Sequence, residues 1–324
     1  VMDEETLLPM RYVNVGNSPY IESPHYIVVS PDGNFWYVVC LGGNSLQKFR
    51  SSDDALVGEA MLGTKYWNTI ALSADGNTAY VVDWENTGDI AVVNTNTFAV
   101  THNIGLVYPH GITVSPDGNY LYVTQQDGSG LYKIPVADFS SYTAVAVYST
   151  PPSLPLNSHE VRFSPDGSKY FVTCQGTDEV RVMQASNDSL LAIIPVGNHP
   201  SEMSMSVRNN LLFVTCEEDT TTLVGKRGSV AVIDMASNTQ VSGSPIYTGH
   251  QPHGLSVDDN KNIVLVANRN QTTGGPAPHH VCNCAGRDGY LTFIDMATLT
   301  LKETPYHNTK VELSVDPYSA AFRH

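Results

Sequence analysis

Charge is scarce in this chain. Of 324 residues only 17 are Lys or Arg, against 32 Asp or Glu, and charged residues together make up 15%. The shortage is one-sided, with a formal net charge of −15. A field of that sign repels phosphate backbones and anionic lipid headgroups. No cluster of Lys and Arg overrides it locally, so nucleic acid is excluded as a partner. Also missing is any apolar run near the roughly 18 residues that a membrane-crossing helix needs, so the chain is expected not to span a membrane. The opening VMDEETLLPM has neither a basic start nor an apolar stretch, and is not expected to be a signal peptide. No stretch sustains a 3.6-residue apolar period, which predicts few helices. There is no G-x-S-x-G elbow and no C-x-x-C-H haem motif. The loops CLGGNS and TTGGPAP lack the Lys and helix of a phosphate cradle.

What is abundant is turn chemistry: 25 Gly and 19 Pro, with many Asn, Ser and Thr. That composition suits an all-β protein, and the sequence repeats itself. SPHYIVVSPDGNFWYVVC begins at Ser23, YPHGITVSPDGNYLYVTQ at Tyr108, NSHEVRFSPDGSKYFVTC at Asn157 and QPHGLSVDDNKNIVLVAN at Gln251. Weaker copies begin at Tyr66 and Pro200, and KVELSVDPYSAAFRH, from Lys310, reads as a seventh. Each copy is an alternating apolar strand, a tight turn and a second strand. In SPDG, Pro presets φ, Asp bonds locally and Gly accepts a positive φ. Between copies lie further strand pairs, such as SVAVIDMASNTQVSGSPI from Ser229. The unit is thus four strands in roughly 40 to 50 residues, the period of a propeller blade.

With YVVC, YVTQ and FVTC, and with the following VAVID, the chain resembles the YVTN (YncE-like) β-propeller family over nearly its whole length. The resemblance implies one domain, residues 1–324, with seven four-stranded blades around a channel. The last blade would be closed by the N-terminal strand PMRYVNVG, Pro9 to Gly16. Related propellers are commonly exported, which implies a periplasmic, cell-surface or secreted protein. They serve many roles, so the resemblance speaks to fold and only weakly to function.

Aligning the copies on their turns places side chains. The residue entering each first strand is His25, Asn68, His110, His159, Ser201, His253 or Val311. The next slot holds Tyr26, Thr69, Gly111, Glu160, Glu202, Gly254 or Glu312, and the residue leaving each second strand is Cys40, Asp83, Gln125, Cys174, Cys216 or Asn268. In a propeller these slots share one face. The stretch GPAPHHVCNCAGRDG, Gly275 to Gly289, breaks the repeat and lengthens a loop on that same face.

Two readings of this face stand side by side. In the first, each strand-end cysteine is a small buried hydrophobe, each histidine caps its strand against the neighbouring blade, and Cys282 or Cys284 pairs with Cys40 or Cys216. In the second, His25, His110, His159, His253, His279, His280, Cys282 and Cys284 supply a metal, since imidazole with thiolate favours copper or zinc. The propeller domain of nitrous oxide reductase, which binds copper through histidines, offers a looser likeness without the motif match. Glu160, Glu202 and Glu312, in one slot, are candidate ligand-binding carboxylates; their plainer role is as solvated rim residues. Two glycosylation sequons occur, NDS at Asn187 and NQT at Asn270. The expected function is therefore a binding or scaffold propeller taking a small ligand, a metal or a protein partner at this face. The alternative is a metal-dependent enzyme, or a hydrolase of the lactonase type, which the fold also resembles, with its site at the same channel mouth.

Overall fold

The computed structural model describes all residues except 4, 17–22, 64, 149–152, 273–287, 314–315 and 323–324. Among the described residues every regular element is a strand. The first sheet holds β1 (Pro24–Val29), β2 (Phe35–Cys40), β3 (Ser45–Arg50) and β4 (Leu56–Met61). The second holds β5 (Trp67–Leu72), β6 (Thr78–Asp83), β7 (Gly88–Asn94) and β8 (Val100–Leu106). In the third are β9 (Pro109–Val114), β10 (Tyr120–Gln125), β11 (Gly130–Pro135) and β12 (Thr143–Ala146). The fourth has β13 (Ser158–Phe163), β14 (Lys169–Cys174), β15 (Glu179–Gln184) and β16 (Leu190–Pro195). The fifth has β17 (Pro200–Ser206), β18 (Leu211–Cys216), β19 (Ser229–Asp234) and β20 (Thr239–Gln240). The sixth has β21 (Pro252–Asp258), β22 (Ile263–Asn268), β23 (Tyr290–Asp295) and β24 (Thr300–Leu301), with β25 (Val311–Glu312) also on β23. Each sheet is a meander with its strands hydrogen-bonded in sequence order. Four-stranded sheets of this order are the blades of a β-propeller.

The turns between first and second strands are built as their sequence dictates. At SPDG, Ser30 Oγ donates to Asp32 Oδ1 at 2.5 Å, the Asn34 N–H reaches the same oxygen at 3.0 Å, and Gly33 has φ 72°. Ser73–Asp75, Ser115–Asp117 and Ser164–Asp166 repeat the bond. These donors hold the Asp32, Asp75 and Asp166 carboxyls down at about 2. The second strands are the buried ones. Val39, Val81, Val123, Val172, Val214 and Val266 are inaccessible to solvent, because these strands are covered on both faces.

The chain forms two compact units. One comprises Val13–Val172 with Met183–Leu191; the other comprises Val1–Tyr12, Thr173–Val182 and Ala192–Phe322. In the first, Tyr80, Val82 and Ile90 of the second sheet pack with Ile112, Leu121 and Val123 of the third. In the second, Phe213 and Val230 of the fifth pack with Leu255, Val264 and Ile294 of the sixth.

The blade count departs from expectation. Six blades stand among the described residues, not seven. Pro9–Gly16 does not form the expected closing strand: Pro9 makes a single bridge to Met2, while Val13 and Val15 pack on Trp36, Val38 and Phe49 without joining their sheet. Val311 and Glu312 do not begin a new blade either. They pair with Leu291 and Tyr290, on the β23 edge that β24 occupies further along at Ile294 and Asp295. The fifth sheet shows the same break, with β20 beside Ile233 and Asp234, and Ile246 bridging Val230. The physical reason for the misassignment is that apolar alternation has the same period in an outer strand as in an inner one.

Candidate functional site

The register drawn from the turns places the three slots at one end of each sheet. β2, β6, β10, β14, β18 and β22 finish at Cys40, Asp83, Gln125, Cys174, Cys216 and Asn268. The first residue of the first strand faces them: Pro24 pairs with Cys40, Trp67 with Asp83, Pro109 with Gln125, Pro200 with Cys216 and Pro252 with Asn268. In all five of these ladders the register slips immediately afterwards, at His25, Asn68, His110, Ser201 and His253. Such bulges re-aim a side chain.

The re-aimed imidazoles go to backbone. His25 Nδ1 lies 2.8 Å from the Asn68 carbonyl oxygen, His110 Nδ1 lies 3.1 Å from that of His159, and His253 Nδ1 lies 3.2 Å from that of Tyr318. For His25 and His110 the acceptor is the matching slot one copy further on; for His253 it is Tyr318, seven residues beyond Val311, which the turn alignment had put in that slot. Threonines add parallel bonds: Thr124 Oγ1 donates to the His159 carbonyl, Thr173 Oγ1 to that of Ser201 and Thr215 Oγ1 to that of His253. The repeated histidine thus fastens one first strand to the next. A carbonyl can only accept, so Nδ1 carries the proton and the lone pair sits on Nε2. Burial pushes His110 down to about 4, so its ring is neutral at pH 7.

The strand-end cysteines behave as small hydrophobes. Cys40, Cys174 and Cys216 are all buried, and burial pushes the Cys216 thiol up to about 12. His279, His280, Cys282 and Cys284 lie outside the described residues. Among the described residues, no three His, Cys, Asp or Glu side chains assemble as a set able to hold a metal ion.

The three candidate carboxylates separate. Glu160 and Glu202 are buried, on β13 and β17, whereas Glu312 is exposed on β25. Glu160 accepts from Arg162 Nε at 2.6 Å, and Arg162 Nη2 also bonds the Tyr26 hydroxyl. Arg162 stands where the other copies have Val28, Ala71, Thr113, Ser204 and Ser256. It is the one charge in that slot, a signal that was present in the sequence.

A second charged group, not anticipated from sequence, gathers at the start of two loops. Arg269 follows β22 and Glu217 follows β18, and Arg269 Nη1 meets Glu217 Oε1 at 2.8 Å. Arg269 also grips Asp316 with two nitrogens, at 2.7 and 3.2 Å, and its guanidinium lies 4.6 Å from the centre of the Tyr318 ring. That ring lies in turn against His253, with centroids 3.8 Å apart and planes tilted by 38°. Burial pushes Glu217 up to about 7, with Arg269 pulling it back and the Glu218 charge adding to the rise. Glu218 pairs with Arg227 and accepts from Gln251 Nε2 at 2.7 Å. The sequence signal for this group is loop length. The connection after the second strand covers only 41–44, 84–87, 126–129 and 175–178 in four sheets, but 217–228 and 269–289 in the last two.

No family model matches the chain, and no curated protein matches it. The YVTN resemblance therefore rests on the quoted residues alone. Solved structures do match. A chain of the Kuenenia stuttgartiensis hydrazine synthase superposes with a TM-score of 0.70 at 17% identity, over 97% of this chain and 93% of that one. U3-55K superposes with a TM-score of 0.68 at 13% identity, over 95% and 87%. The fold is a β-propeller. At such identities the likeness carries the fold and no activity. A propeller presents a face of loops on a rigid scaffold, which is compatible with binding and scaffold roles.

Proposed function

We propose that this protein is a binding or scaffold propeller of an extracytoplasmic compartment, and that it binds through the two long loops 217–228 and 269–289. The observation carrying this reading is that these two loops alone exceed four residues among the connections after second strands, and that both begin in the ion pair of buried Glu217 with half-buried Arg269. Loops extended from a rigid scaffold are where binding residues concentrate. A charged pair partly shielded from water fixes the loop stems in one geometry, which lowers the entropy lost on binding. The ligand is a small molecule or a protein surface. The metal version belongs to the same loop, with His279, His280, Cys282 and Cys284 as imidazole and thiolate ligands for copper or zinc.

The test replaces residues 271–287 with a short Gly-Ser connection. Wild-type and shortened proteins are compared by affinity capture from the native extracellular fraction, by elemental analysis and by circular dichroism. We expect unchanged dichroism and a captured species, or stoichiometric copper or zinc, on the wild type only. Equal capture by both proteins would place binding on another face. Turnover of γ- and δ-lactones by the wild type, lost on shortening, would replace the scaffold reading with the hydrolase one.

A further inference from the structure

The unit built on Val13–Val172 carries aromatic side chains that the loop reading leaves unused. Of the three tryptophans, Trp36 and Trp67 are buried, and their indole N–H groups donate to Asp54 Oδ1 and to the Gly63 carbonyl. Trp84 differs. It is 39% exposed, and its indole N–H has no acceptor among the described residues. It follows β6 directly, and its backbone N–H donates to the Tyr66 carbonyl at 2.8 Å, one residue beyond the Trp67–Asp83 pair of the β5–β6 ladder. Residues directly opposite in such a ladder project from the same face, with Cβ atoms about 5 Å apart. Tyr66 is exposed as well. A third ring comes from the next sheet: half-buried Tyr108, just before β9, donates its backbone N–H to the Glu85 carbonyl at 3.2 Å. The loop 84–87 is pressed onto the start of β9, since a Cβ on Gly88 would stand 2.7 Å from Pro109 Cγ. Among the described residues none of these three rings packs against another, and Trp84 meets His110 edge-on, with centroids 5.9 Å apart.

The charge beside these rings is negative. Asp83, Glu85 and Asp89 stand against one cation, Lys65, which pairs with Asp83 and Asp89 at 3.0 Å each. The half-buried Glu85 carboxylate has neither an ion pair nor a hydrogen-bond partner among the described residues. Aromatic faces and an unpaired carboxylate both favour a cation. One carboxylate cannot replace the water shell of an ammonium that bears several N–H groups, whereas a fully methylated ammonium has no N–H to leave unpaired. We infer that Tyr66, Trp84, Tyr108 and Glu85 form a binding site for a small organic cation of the quaternary ammonium class. The net charge of −15 draws such a ligand in from a distance. The inference is independent of the loop-face reading, because the loops 217–228 and 269–289 belong to the other unit.

The test titrates the whole chain calorimetrically with three probes: choline, its uncharged isostere in which a tert-butyl group replaces the trimethylammonium, and methyl glucoside, a neutral sugar that also lies flat on aromatic rings. We expect saturable one-to-one binding of choline only. Trp84→Leu and Glu85→Gln should each weaken it by about fivefold, with circular dichroism unchanged. Should Trp84→Leu fail to fold, Tyr66→Leu takes its place, at a side chain that is 52% exposed. The variant shortened over 271–287 should bind choline equally well, which separates this site from the loop face. Three outcomes would overturn the inference: no saturable binding of choline, equal binding of the uncharged isostere, or undiminished binding by both the ring variant and Glu85→Gln. Binding of methyl glucoside in place of choline would overturn the assignment of a cation.

Discussion

A single buried group can set the pH dependence of a protein this poor in charge. His110 is held neutral by burial, at about 4 against an ordinary 6.5. The unfolded chain therefore binds a proton that the folded one refuses, and stability is lost as pH falls from about 6.5 to 4. Glu217 works in the opposite sense. Its folded value of about 7 lies above the ordinary 4.5, so its contribution is complete below about 4.5 and is lost as pH rises to 7. Each slope is bounded by one proton, about 1.4 kcal/mol per pH unit. Urea unfolding at pH 4.5 to 7.5 should show Glu217→Gln gaining on the wild type as pH rises through this window. His110→Gln should lose less stability on acidification than the wild type does. A variant whose curve runs parallel to the wild type would show that its residue does not titrate in this range.

At the scale of elements, the repeated histidine is a fastener between first strands, and the glycine after it makes room for the next backbone. At Gly111 a methyl group would stand 2.5 Å from the His159 carbonyl oxygen and 2.8 Å from Glu160 Cα. Backbone cannot yield as a flexible side chain can. Gly111→Ala should therefore destabilise by about 1–3 kcal/mol, read as a fall in unfolding midpoint. Gly118→Ala is the control for lost flexibility alone. No atom lies within 4 Å of its added methyl, but φ is +74°, so its cost is turn strain without overpacking. If the Gly111 variant loses no more than the Gly118 variant, the close approach of the two strands is not what holds them.

For the molecule as a whole, the net charge of −15 governs long-range encounters. Duplex DNA should give no retardation with this protein even at about 50 mM salt, where phosphate contacts are strongest. Cationic surfaces should retain it, with retention falling steeply as salt is added. Retardation by DNA at low salt would reveal a local basic surface that composition hides.

Much of the fold was legible in the residues, because it is written locally and several times over. SPDG fixes a turn by its own side chains, alternation fixes strands, and repetition fixes the register that put His25, His110, His159 and His253 in equivalent places. What those histidines do was legible only as one of two readings, a cap on the neighbouring blade or a metal ligand, and the bonds of His25, His110 and His253 to backbone carbonyls fit the cap. A ring that bonds a carbonyl 43 or 49 residues away has no local signature. The blade count also escaped, because Val311–Glu312 has the alternation of either an inner or an outer strand, and only pairing with β23 chose between them. Arg162 was visible as an odd charge in an otherwise uncharged slot, but its bonds to Glu160 and Tyr26 were not. The group at Arg269 draws on Glu217, Asp316 and Tyr318, which come from separate stretches of chain. Sequence determined the strands, because each is specified by its own neighbours. Tertiary structure alone decided the charge pairs, because desolvation acts between residues that only folding brings together.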